Sequence, residues 1–150
     1  MNTPGGNTRT TAEHTIAMMM SLTRNIPRGT ATLKASLWEK KNLQGRELFN
    51  KTLGIVGFGN IGSIVAKIAQ GLQMKVIIFD PNVRCEHIEK SGFECVTLDE
   101  IYSRADYITL HVPKLESTTN LLNKTTFEKM KDGVMIINCA RGGIIDEDDL

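Results

Sequence analysis

Aromatic side chains are scarce in this chain, 5% of residues, with a single tryptophan (Trp38) and two tyrosines. Excess charge of either sign is missing too. Lys plus Arg is 18 against 17 for Asp plus Glu, a net charge of +1, so the clustered positive charge of a phosphate-backbone binder is absent and no nucleic-acid partner is expected. The three cysteines (Cys85, Cys95 and Cys139) are odd in number, irregularly spaced and without a CxxC. That pattern argues against a disulfide framework or a metal site and fits a reducing, cytoplasmic setting. Long apolar runs are lacking as well. The windows near Ile16–Met20 and Ile61–Ala69 fall short of the roughly 20 residues that span a bilayer, and Met1–Asn7 has no signal-peptide core, so no membrane association is expected. What is present is globular: 150 residues, 41% hydrophobic and 23% charged, enough for one domain with a core and no staples.

Two regions differ in character. Residues 1–47 hold a Thr/Asn/Gly-rich start, one helix and the polar, basic stretch Lys34–Arg46; no repeat or low-complexity segment interrupts the chain. Thr10 followed three residues later by Glu13 has the form of a capping box, so the helix is expected to begin at Thr10. Ala12, Ile16–Met20 and Leu22 make it apolar nearly all the way round, which predicts burial on more than one face, and Pro27 ends or kinks it. Trp38, set among Leu37, Glu39, Lys40 and Lys41, is either a lid on the core or an anchor on a partner.

From Lys51 onward, apolar β-branched runs alternate with helical stretches. The pattern predicts strands at Thr52–Val56, Lys75–Phe79, Glu94–Val96, Tyr107–Val112 and Val134–Asn138. Helices are predicted at Asn60–Leu72, His87–Gly92, Leu98–Ser103, Lys124–Lys131 and from Asp146 to Leu150. The fold class is therefore α/β, a Rossmann-type doubly wound parallel sheet of about five strands with right-handed crossovers.

Gly57-Phe58-Gly59-Asn60-Ile61-Gly62 matches G-x-G-x-x-G, follows an apolar strand and opens a helix whose apolar residues recur at helical spacing. In that pattern Gly57 makes the tight turn, Gly59 lets backbone approach a pyrophosphate, and Gly62 brings helix and strand together. The helix N-terminus offers free amides to the anion. Asp80 lies 18 positions after Gly62, near the roughly 20 that place an acid on the adenosine ribose, and Pro81 follows where a basic residue would suit a 2′-phosphate. NAD is the expected cofactor. Arg84 leaves NADP open, and a plain βαβ turn with a strand-end Asp is the other alternative.

Several segments together resemble the D-isomer-specific 2-hydroxyacid dehydrogenases: Asn2–Asn7, Thr11-Ala12-Glu13, Gly45-x-Glu47-Leu48, Lys51–Gly62, Phe79-Asp80-Pro81, His111-Val112-Pro113, Ser117-Thr118-Thr119 and Asn138–Asp146. The resemblance implies that Asn60 and Ile61 lie against the pyrophosphate, Asp80 on the ribose and Val112 at the adenine side. It also implies that Cys139 and Ala140 present backbone near the nicotinamide ribose, and that Arg141 is the catalytic arginine gripping the carboxylate and carbonyl of a small 2-hydroxy or 2-oxo acid. Physical chemistry fits that role, because a guanidinium fork binds both groups with charge-assisted hydrogen bonds.

His111, His14 and His87 read as structural residues, and a reactive-thiol role for Cys139 is disfavoured. The family's Glu–His acid/base pair lies downstream of the Arg141 segment, so the resemblance implies a partial NAD-binding domain (48–150) that is inactive alone. The apolar helix Glu13–Arg24 and the Trp38 arm match the family's dimerisation elements, implying that residues 1–47 mediate a homodimer. A non-catalytic NAD-sensing interaction module is the remaining alternative.

Overall fold

A computed structural model describes residues 6–150. Five short strands, β1 (Thr52–Val56), β2 (Lys75–Phe79), β3 (Glu94–Cys95), β4 (Tyr107–Leu110) and β5 (Met135–Asn138), form one sheet of order β3-β2-β1-β4-β5. Every pairing is parallel, with Leu53 opposite Val76 on one side and Tyr107 on the other. Strand order reverses at β1, so a crevice opens beyond the carboxyl ends of β1 and β4, where ligands of such sheets bind.

Helices α1 (Thr8–Thr23), α3 (Asn60–Gly71) and α4 (Cys85–Lys90) cover one face, and α5 (Leu98–Arg104) and α6 (Lys124–Phe127) the other. α2 (Ile26–Lys34) continues from α1. Alternation along each strand supplies both cores: Leu53, Ile55, Ile78, Tyr107 and Ile137 face α1 and α3, while Ile77, Ile108 and Leu110 face α5. Gly54 lets α5 settle onto β1, since a β-carbon there would stand 2.8 Å from Ile101 Cγ2.

The strand expectations hold to within two residues, but three features of the N-terminal region differ. α1 begins at Thr8 with Asn7 at its N-cap, because the Thr11 amide already donates to the Asn7 carbonyl at 2.8 Å; Thr10 is inside the helix and caps nothing. Its burial is one stripe, Ala12, Thr15, Met19 and Thr23, with the Thr23 hydroxyl donating to Tyr107 Oη at 3.1 Å; Met18 and Leu22 are about half exposed. Pro27 starts a helix instead of ending one: Asn25 takes a left-handed conformation, and Pro27, lacking an amide to satisfy, sits in the first turn of α2. Trp38 is 78% exposed, so it is no lid on the core.

Two further corrections concern the C-terminal half. Residues 146–150 form no helix; Asp146 instead donates its amide to the Leu122 carbonyl at 2.8 Å, and the Lys124 amide donates to Asp149 Oδ2. Cys85 and Cys95 are joined by a disulfide with Cα atoms 5.4 Å apart, leaving Cys139 free. An odd count excludes complete pairing but not one local clip, and a helix–turn–strand unit returns the chain beside its own start. Among the described residues no helix is long and apolar enough to cross a membrane.

Beyond β4, His111 sits between the sheet and the crevice, its Nε2 3.0 Å from Thr109 Oγ1. Burial pushes its imidazole pKa down to about 4. The unfolded chain therefore binds a proton there that the folded chain refuses, and stability present above about pH 6.5 declines as pH falls toward 4. Denaturant unfolding at pH 7 and pH 4.5 should differ by about 2–3 kcal/mol from this residue, and His111→Gln should remove that part of the slope.

Candidate functional site

The glycine turn joins β1 to α3. Gly57 has φ +101°, and a β-carbon on it would lie 2.6 Å from the His111 carbonyl oxygen, so the turn passes directly over the end of β4. A β-carbon on Gly62 would collide with the Gly57 carbonyl, which is how the first turn of α3 comes to rest against β1. Gly59 differs: nothing lies within 4 Å of where its β-carbon would be. Its open side and the unpaired amides opening α3 form a cradle that a side chain would fill, which fits a pyrophosphate.

Asp80 follows β2 and turns back to this loop. Its Oδ2 accepts the Phe58 amide at 2.7 Å and its Oδ1 accepts the Asn82 amide at 2.8 Å. A carboxylate offers about four lone-pair directions, so acceptor capacity remains for the hydroxyls of a ribose. The Phe58 ring closes the arrangement from behind, edge-on to Phe93 at 5.9 Å and to His87 at 6.4 Å.

Beside α3, a cleft of about 530 Å³ gathers Ile61, Val112, Cys139, Ala140 and Arg141 with Asn7, Thr11, His111, Pro113 and Lys114. Among the described residues that line it, the charged members are Arg141 and Lys114, with no carboxylate, which suits an anionic ligand. Asn138 shapes the loop after β5: its side-chain amide donates to the Arg141 carbonyl at 2.9 Å and its Oδ1 accepts the Ala140 amide at 3.0 Å. Arg141 is exposed and spends one donor on the Ala140 carbonyl at 2.8 Å, leaving the rest of its fork available. Arg141 also borders a second cleft of about 830 Å³ between α1 and the 138–150 segment, lined by Thr10, Thr11, His14 and Met18.

The structure thus brings together five of the sequence-nominated residues, Ile61, Val112, Cys139, Ala140 and Arg141, in one cleft, with Gly57, Gly59, Asn60, Gly62 and Asp80 forming the adjoining turn. Thr11 and Lys114 were not nominated as site residues. Thr11 lay within a segment carrying the family resemblance, whereas Lys114, which follows the strand-ending Pro113, carries no spacing signal. Of the Asn2–Asn7 segment, positions 2–5 lie outside the described residues.

Comparison with known proteins places this geometry in a lineage. Residues 16–150 match the family model described as D-isomer specific 2-hydroxyacid dehydrogenase, NAD binding domain. The whole chain is 49% identical to D-3-phosphoglycerate dehydrogenase of Synechocystis sp., of which it covers 27%, and 47% identical to hydroxypyruvate reductase of Thermotoga maritima, of which it covers 48%. Among solved structures, D-lactate dehydrogenase of Aquifex aeolicus complexed with NAD and lactic acid superposes with a TM-score of 0.90 at 36% identity, over 98% of this chain and 44% of that one. The chain therefore spans between about a quarter and a half of these relatives' lengths. With the G-x-G-x-x-G turn, the β2-end aspartate and the sheet order all in agreement, this chain belongs to the D-isomer-specific 2-hydroxyacid dehydrogenase family and carries its NAD-binding domain.

Proposed function

We propose that this chain is the NAD-binding portion of a D-3-phosphoglycerate dehydrogenase, oxidising 3-phospho-D-glycerate to 3-phosphooxypyruvate in serine biosynthesis. The observation that carries the 2-hydroxyacid reading is Arg141, exposed beyond the end of β5 in a cleft whose charged members, among the described residues, are both cations. Similarity to the Synechocystis enzyme over the whole chain supports the choice of substrate. The near-equal similarity to the Thermotoga reductase supports a second reading, a glyoxylate/hydroxypyruvate reductase.

In this account the amides of Asn60 and Ile61 face the pyrophosphate, Asp80 takes the adenosine ribose hydroxyls, Val112 covers the adenine side, and Cys139 and Ala140 present backbone toward the nicotinamide ribose. NAD held in this cradle would supply the acceptor for a hydride from the carbon bearing the alcohol. Arg141 holds the substrate carboxylate and leans a second N–H on the reacting oxygen, orienting the acid and stabilising charge that develops there. His111 is unsuited to take the alcohol proton, because its imidazole is held well below its usual range and its Nε2 already faces Thr109. The isolated chain is therefore proposed to bind cofactor without turning over. Residues 1–47 are proposed as the interdomain and dimerisation segment, supported by the exposed apolar side chains Leu22, Ile26, Leu33, Leu37 and Trp38. A cytoplasmic location completes the reading.

Calorimetric titration with NAD tests the cradle. Asp80→Ala should weaken binding by about 1–3 kcal/mol, and Gly59→Val should abolish it by filling the open side of the turn; unchanged affinity in both variants contradicts the assignment. With NADH present, oxalate, a planar stand-in for a 2-oxo acid, should bind the native chain and fail to bind Arg141→Ala; equal oxalate affinity removes Arg141 from the substrate site. Light scattering at micromolar concentration should report a dimer for the native chain and monomer for Trp38→Glu, and a native monomer would exclude the proposed interface.

A further inference from the structure

The Cys85–Cys95 bridge lies where it bears on the glycine turn. Cys85 opens α4 and Cys95 ends β3, so the bond staples a six-residue helix to a two-residue edge strand. Both elements are short: one turn and a half of helix is marginal in water, and β3 pairs with β2 at Ile77↔Glu94 and Ile78↔Cys95, with the Val96 amide adding a bond to the Ile78 carbonyl at 2.9 Å. A cross-link across such a segment removes much of its conformational freedom.

That segment is what grips Phe58. Asp80, between the end of β2 and Cys85, accepts the Phe58 amide at 2.7 Å, while His87 within α4 and Phe93 just before β3 pack edge-on against the Phe58 ring. The ring of the residue between Gly57 and Gly59 is thus packed against the stretch the bridge closes, and its backbone amide is held by Asp80, five residues before that stretch. Cys85 is exposed and Cys95 partly so, which leaves the bond open to attack. Bridges reachable from solvent, in proteins of reducing compartments, are commonly transient and regulatory.

We infer that Cys85–Cys95 is a reversible redox site that sets the affinity of the glycine turn for its dinucleotide, tighter when bridged and weaker when reduced. The inference rests on the dinucleotide reading above. A dithiol reductant supplies the electrons: one of its thiolates attacks Cys85 Sγ, the Cys85–Cys95 bond breaks, and the Cys95 thiolate leaves and takes up a proton. The reductant's second thiolate then attacks the mixed disulfide, freeing Cys85, which is protonated, and leaving the reductant as its own disulfide. Two electrons pass to the bridge, and a disulfide oxidant runs the exchange backwards. Once reduced, the 85–95 loop that packs on the Phe58 ring regains freedom that dinucleotide binding must remove again, and affinity falls.

The test titrates the full chain with NAD and, separately, AMP in two states, oxidised and after treatment with dithiothreitol. Thiol counting should find one free thiol in the first state and three in the second. Reduction should raise the Kd of both ligands about tenfold, a usual size for coupled sites. The double variant Cys85→Ser/Cys95→Ser should show the reduced-state Kd in either buffer. By reciprocity, saturating NAD should shift the dithiol–disulfide equilibrium toward the bridge by the same factor, which a bridge that only strengthens an already folded chain would not do. Equal affinities at verified counts of one and three thiols overturn the proposal, as does a chain that keeps three free thiols under disulfide oxidant. Absence of NAD binding in both states overturns the dinucleotide reading itself and this inference with it.

Discussion

A single backbone amide organises the candidate site. The Phe58 N–H, pointing out of the turn between β1 and α3, is taken by the carboxylate of Asp80 from the neighbouring strand. A charged acceptor on a neutral donor is among the stronger hydrogen bonds a loop can have, and here it ties together the two parts of the fingerprint, turn and acid, that sequence spacing could only place near each other. It fixes the turn against the end of β2, and with the Asn82 amide on Oδ1 it leaves Asp80 acceptor capacity to spare. The close approach of Gly62 to the Gly57 carbonyl does the rest, pressing the first turn of α3 onto β1.

From this constraint the rest of the crevice follows. The turn lies over the end of β4, so His111 sits half-buried beneath it and Val112 emerges at its rim; β5, the next strand out, delivers Cys139, Ala140 and Arg141 to the same level. Parallel strands in register end together, which is why residues from three separate chain segments share one cleft. α1 closes the far side, with Thr11 beside Arg141 and the Thr23 hydroxyl anchored on Tyr107.

Much of this was legible in the sequence where one residue type does one physical job. β1 and β2 were placed residue for residue because the inner residues of parallel strands, Leu53–Val56 and Val76–Phe79, carry no charge and few polar atoms, and turn residues bound them. The glycine turn was legible because three separate steric demands coincide in six residues. The N-terminal region was harder for an identifiable reason: Met18 and Leu22 are as apolar as Met19, yet only Met19 meets α3 and the sheet, and periodicity cannot tell a side chain covered by its own chain from one left outside. Pro27 was ambiguous because the same missing amide that ends one helix also suits the first turn of the next. The bridge between Cys85 and Cys95 was hidden because counting cysteines says nothing about which turn folds back on itself. Lys114 stayed hidden for a related reason, since its place in the cleft depends on Gly143 leaving room beneath it.

The most direct check of the central claim is amide chemical-shift mapping of the isotope-labelled chain during titration with NAD. The account predicts that the largest shifts run from Gly57 through Gly62 and recur at Asp80, Val112 and Cys139–Arg141, tracing one ligand laid across the ends of β1, β2, β4 and β5. Shifts confined to another surface, such as the cleft around Leu33, Leu37 and Trp38, or none at saturating cofactor, would contradict it.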